Sequence, residues 1–189
     1  MIRIFFSIKR KMEKKSGIVS FTGTFRESVA DIKEGSKVIF IGTVLCMPFI
    51  ELLAYTVRDK GFDMIYVPKA ATKEARKIRE MEGREYSVVS EKGDPKSPDV
   101  VVLLGGLAIP KFGCLAEDVN LMIEDIAGGK KPKIIGVCFM NMLERAGWDK
   151  KIAFDARIDI PRSVFINKLL HGIWRLAYLG SASVYAERK

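Results

Sequence analysis

Three stretches of this chain combine cysteine with glycine or proline, and any chemistry legible in the sequence is concentrated in them. They are Gly42-Thr-Val-Leu-Cys46-Met-Pro48, Gly105-Gly-Leu-Ala-Ile-Pro-Lys-Phe-Gly-Cys114 and Gly136-Val-Cys138-Phe-Met-Asn141. Glycine lets a backbone approach a ligand closely, and the free N–H groups of a helix start favour an anion. Thr43 adds a hydroxyl, and Lys69 or Lys111 supplies a cation. The candidate ligand-binding residues are therefore Gly42, Thr43, Cys46, Gly105, Gly106, Cys138 and Asn141, facing a small anion such as a nucleotide, phosphate or carboxylate. Neither a GxGxxG fingerprint nor a P-loop occurs, so no cofactor is named, and glycine also serves simply to turn a strand tightly into a helix.

The thiols open two further possibilities. Cys46, Cys114 and Cys138 together could hold zinc or an iron–sulfur cluster if they converge, although a fourth ligand is missing. The plainer alternative is three small apolar residues in a buried mouth. Cys138 alone is a candidate nucleophile, because a helix starting directly after it would lower its pKa. A buried strand ending Gly136-Val-Cys138, with Gly105-Gly106 after the preceding strand, resembles the nucleophile elbow and oxyanion-side glycines of class I glutamine amidotransferases and PfpI-like proteins. That resemblance implies a cysteine-dependent hydrolase or amidotransferase. It covers only the two strand ends and departs from the pattern at Met140, where glycine normally follows. His171 is the sole histidine and no His-x-Glu pair exists, so the nucleophile lacks a positioned base. Asp155 and Asp159 flank Arg157 on an alternating stretch and suggest the polar face of an edge strand. Asp99 reads as a turn residue and Glu51 as solvent-facing.

The elements that must position these residues follow from periodicity. Lys37–Gly42, Phe62–Val67, Asp99–Gly106, Lys133–Val137 and Lys151–Ile158 are strand-like, the first and third being continuous runs suited to burial on both faces. Tyr86–Val89 is a further short strand. Helical spacing predicts helices from Pro48 to Lys60, Thr72 to Met81, Ala116 to Ala127 and Phe139 to Ala146. Near the start, Thr24 and Glu27 form a capping box for a helix Phe25–Ile32, preceded by an edge strand or arm at Gly17–Gly23. Alternating strands and helices imply βαβ units. The expected fold is a three-layer, Rossmann-like or flavodoxin-like open sheet of about five mostly parallel strands, with helices on both faces. Ligands in such sheets bind beyond the strands' carboxyl ends.

Pro48-Phe-Ile-Glu-Leu-Leu-Ala-Tyr, Val101-Val-Leu-Leu-Gly-Gly-Leu-Ala-Ile-Pro and Ile135-Gly-Val-Cys-Phe-Met, with Ala146-Gly-Trp148 behind them, make the span Lys37–Ile160 similar to a conserved archaeal family, common in methanogens, classed as a domain of unknown function. The resemblance implies a Rossmann-like fold and an archaeal cytoplasm, and no activity.

Charge narrows the partners. The net charge is +9, yet residues 1–15 carry +5, residues 161–189 carry +4, and residues 16–160 hold 21 charges of each sign. A neutral centre with basic ends disfavours a nucleic-acid-binding face. We therefore expect a basic extension at 1–15, disordered or preceding a true start at Met12, then an α/β domain at 16–160 and a C-terminal helix and tail at 161–189. In that tail Phe165, Leu169, Leu170, Ile173, Trp174 and Ala177 have helical spacing, which suits packing on the domain, on a second copy in a dimer, or use as a non-enzymatic interaction module. Three widely spaced cysteines and no long apolar run point to a reducing, cytoplasmic setting without membrane contact.

Overall fold

The computed structural model describes residues 18–83 and 85–160. The expectations for residues 1–15 and for the C-terminal helix and tail lie outside them. Within the described residues the chain is an α/β fold on one seven-stranded sheet. Its strands are β1 (Lys37–Gly42), β2 (Asp63–Pro68), β3 (Arg76–Met81), β4 (Glu85–Lys92), β5 (Val100–Leu104), β6 (Lys133–Phe139) and β7 (Ala156–Ile160). They lie side by side in the order β4-β3-β2-β1-β5-β6-β7. β2, β1, β5, β6 and β7 run parallel, while β3 and β4 are antiparallel additions at one edge.

Burial explains this arrangement. Every residue of β5 is buried, as are Val38 to Gly42 of β1, so both strands need cover on two faces. On one face, α1 (Ile18–Ser28) and α2 (Met47–Thr56) bring Phe21, Phe25, Ile50 and Leu53 onto Val38, Phe40, Val100 and Val102. Phe25 and Phe40 meet with ring centroids 6.2 Å apart. On the other face, α3 (Ala116–Ala127) lays Val119, Met122, Ile123 and Ile126 over Ile39, Ile41, Val101 and Leu103, joined by Trp148 and Ile152. α3 has the limits its periodicity predicts and stops at Gly128 in a left-handed cap.

Five sequence expectations are corrected. The predicted helix Thr72–Met81 is a short 3-10 turn followed by β3. Ala75 and Ile78 are both buried, but in opposite cores and not in one stripe, while Lys77 and Arg76 pair with Ile65 and Tyr66 on the open edge of β2. The charges that looked like a helix surface bridge strands instead, with Lys77 and Arg79 both reaching Glu91 on β4. The N-terminal helix starts at Ile18 and runs through Thr24, whose hydroxyl donates to the Ser20 carbonyl one turn back instead of capping. The helix expected from Phe139 shrinks to α4 (Met142–Arg145), because Phe139 still pairs with Ile160 in the sheet. The last strand begins at Ala156, five residues later than predicted, since Ile152 is committed to the α3-side core. With the unforeseen β3, and Tyr86–Val89 present as the longer β4, the sheet has seven strands where about five were expected. No helix among the described residues is long and apolar enough to cross a membrane.

Phe40 is fully buried at the centre of the α1/α2 face. Phe40→Ala is expected to lower unfolding free energy in urea by about 3–5 kcal/mol. Val44→Ala, at a position 74% exposed, should change it by less than about 0.5 kcal/mol.

Candidate functional site

Starting from β1, the chain moves first sideways to β2 and later back across to β5. The loops after β1 and β5 lead to helices on opposite faces, so a crevice opens between them at the carboxyl edge of the sheet. A cleft of about 640 Å³ lies at this edge. The loop after β1 contributes Thr43, the end of β2 and its loop contribute Tyr66, Lys69 and Glu74, and the long loop after β5 reaches over with Lys111 and Phe112. Cys114 also lines it.

The floor of the cleft is set by the last carbonyl of β1. Gly42 accepts hydrogen bonds from the Lys69 backbone N–H at 2.9 Å and from the Tyr66 hydroxyl at 3.2 Å. Burial, aided by Cys46 and Glu74, pushes the Tyr66 phenol up to about 12, so it stays protonated as a donor. Thr43, only 4% exposed, stands beside it with its hydroxyl 3.6 Å from the Cys46 sulfur. Lys69 and Lys111 both hold left-handed backbone, with φ of 54° and 70°. This conformation costs a non-glycine residue roughly 1–2 kcal/mol, and such strain gathers at ligand clamps. Neither lysine makes an ion pair among the described residues. Burial raises the Cys114 thiol above its ordinary value, with Asp118 adding to the rise and Lys69 opposing it. The cleft thus offers two ammonium groups, a phenol and a hydroxyl against one carboxylate, Glu74.

The glycine pair after β5 does a different job. A Cβ on Gly105 would lie 2.6 Å from the Cβ of Cys138, and one on Gly106 would lie 2.3 Å from the sulfur of Cys46. β5 therefore ends pinched between two cysteines, one packed with each core. What remains above Gly105 and Gly106 is an apolar slot of about 180 Å³, walled by Phe49 and Phe139 at 4.4 Å between centroids and by Met140 and Met142.

Of the ligand-binding residues expected from sequence, Thr43 lines the cleft and Gly42 lies beneath it. Cys46, Gly105 and Gly106 line the slot. Cys138 and Asn141 line neither and turn instead to Asp159 on β7. The Asp159 carboxylate accepts the Asn141 backbone N–H at 2.7 Å and the Cys138 thiol at 3.4 Å. Phe139 continues the strand after Cys138, and Met140 and Asn141 both take left-handed backbone before α4, so no helix starts directly after Cys138. Its thiol is pushed up to about 11, chiefly by burial; the backbone N–H groups of Leu143 and Met142 lower it, Asp159 raises it, and the net rise is the reverse of the lowering expected of an elbow nucleophile. The three cysteines do not form a metal cluster, and no group of three or more His, Cys, Asp or Glu among the described residues could hold an ion. Asp99 accepts the Lys37 backbone N–H and Asp155 that of Ile134, so both serve strand ends. Tyr66, Glu74 and Phe112 were missed, because nothing in their spacing distinguishes them from core or surface residues.

A family model described as an uncharacterized protein conserved in archaea (DUF2124) matches residues 16–161. An uncharacterized protein of Methanothermobacter thermautotrophicus is 40% identical over 152 residues, covering 79% of this chain and 92% of that protein. An uncharacterized protein of Methanocaldococcus jannaschii is 33% identical over 150 residues, covering 78% of this chain and 88% of its own length. The crystal structure of a protein of unknown function from Methanothermobacter thermautotrophicus superposes with a TM-score of 0.68 at 37% identity, over 80% of this chain and 92% of that one.

Two outcomes follow from the site's geometry. Lys69→Gly should be more stable than Lys69→Ala by about 1 kcal/mol in chemical denaturation, because only glycine relieves the left-handed backbone; equal stabilities would remove the strain. Cys138 keeps its proton in the folded chain between its ordinary value of 9.0 and about 11, whereas the unfolded chain loses it. Stability contributed by the neutral thiol is complete below pH 9 and lost as pH rises towards 11. Cys138→Ala should therefore show a shallower alkaline fall in stability than the parent over that window.

Proposed function

Taking as premise that the chain belongs to the archaeal family DUF2124, we propose that it binds a small anionic molecule in the cleft between the loops after β1, β2 and β5. One observation carries this reading. Two lysines from different loops, Lys69 and Lys111, line the same cleft, and both are held in backbone conformations that lysine ordinarily avoids. Strain of this kind persists only where surrounding structure imposes it, and here it fixes two cations over one space.

The setting supports the same conclusion. Taken in their own sequence, the five parallel strands have the order 2-1-3-4-5, the flavodoxin-like form of a doubly wound sheet. The cleft lies where that order reverses, the usual position for ligands in such sheets. The Thr43 hydroxyl adds a polar group that suits phosphate or carboxylate oxygens, and the Tyr66 phenol, its proton committed to the Gly42 carbonyl, holds the floor beneath them. Glu74 at the rim disfavours a very highly charged ligand and suits one carrying a hydroxyl or amine as well.

Isothermal titration calorimetry with inorganic phosphate, pyrophosphate and a nucleoside monophosphate tests the proposal. Binding is expected to weaken about tenfold in Lys69→Ala and again in Lys111→Ala, the size of one charge-assisted hydrogen bond each. It should also weaken at high salt. Binding that is indifferent to both substitutions, or absent for all three probes, would overturn it.

A further inference from the structure

We infer that the ligand of this cleft is amphipathic, an anionic head carrying an apolar chain or ring, with the head between Lys69 and Lys111 and the apolar part in the slot above Gly105 and Gly106. The inference rests on the anion reading above and extends it to a second, adjoining compartment.

The two compartments meet at Leu45, which lines both and is 58% exposed. A molecule held by its head in the cleft needs only to pass over this side chain to enter the slot. Their chemistry is opposite. The cleft presents two lysines, a hydroxyl and a phenol. The slot presents Phe49, Phe139, Met140, Met142 and Leu104, with the Cys46 thiol as its one weakly polar side chain. An anionic group cannot be accommodated there without losing its hydration, whereas an apolar chain gains by entering. Methionine side chains adapt to irregular apolar shapes, which suits a chain more than a rigid polar ring.

The pinched end of β5 forms part of the lining of this slot. A side chain at position 106 would have to displace Cys46, and one at 105 would have to displace Cys138. Around the same edge, Val44, Leu45, Phe112 and Met140 are four of the nine exposed large hydrophobic residues among those described. Apolar side chains gathered beside a pair of lysines on one rim are a surface for a ligand of mixed character.

Titration of the full chain with inorganic phosphate and then with n-alkyl phosphates from ethyl to octyl, all below their micelle concentrations, tests this. Affinity is expected to climb about three- to fourfold per methylene until the slot is full. Met140→Asn, at a left-handed position that asparagine tolerates, should flatten the climb without adding a charge. Lys69→Ala should weaken every member of the series by a similar factor. Phosphate binding with no dependence on chain length would overturn the amphipathic inference while sparing the anion reading. A climb that survives Met140→Asn would overturn it too, by placing the chain elsewhere. Failure of every probe would remove both.

Discussion

The end of β5 is the constraint on which the rest of this edge depends. β5 is the middle one of the five parallel strands and is buried throughout, and two cysteines press on its end from the two opposite cores, leaving no room for a Cβ at Gly105 or Gly106. Glycine at these positions is a packing requirement, and it shapes the space at the carboxyl edge of the sheet. The chain cannot present a polar side chain at the middle of the edge, so that region is an apolar slot. The loop after β5 instead rises over the sheet, closes on itself through bonds from Cys114 to Leu107 and from Gly113 to Ile109, and places Lys111 and Phe112 towards β1 and β2. The polar cleft is displaced to that side as a consequence.

The opposite side of the pinch is closed by Asp159. By accepting the Asn141 N–H and the Cys138 thiol, it ties the turn after β6 to the edge strand β7. A thiol held in this way, buried and beside a carboxylate, is kept neutral. The same local arrangement that stabilises the turn thus works against nucleophilic chemistry at Cys138. It also separates Cys138 from Cys46, which belongs to the other core.

Much of the fold was legible from the sequence because the central strands carry their burial in their composition. Val100 to Leu104 and Val38 to Ile41 are unbroken apolar runs, and α3 shows its inner face in a plain helical stripe. The β3–β4 hairpin was not legible as such. Arg76 to Met81 is a charged strand between β2 and β4 whose only buried residue, Ile78, sits three places from Ala75, a spacing that fits a helix equally well. Only the open edge of β2 and the cross-strand reach to Glu91 decide between them, and both are tertiary facts. The site was half legible. Thr43, Lys69 and Lys111 could be named from their places at strand ends, and the glycines could be seen to matter. That the glycines serve packing, and that the lysines adopt left-handed backbone, could not be read from residue types, since lysine has no preference for that conformation.

The central claim is that an anion sits over Thr43, Lys69 and Lys111 and not over Gly105, Gly106 and Cys138. Two-dimensional amide NMR of the labelled chain, titrated with pyrophosphate, tests it most directly. Saturable shifts concentrated at residues 43–45, 69–71 and 111–114 are the predicted result. Shifts concentrated at residues 138–141, or none that saturate, would contradict it.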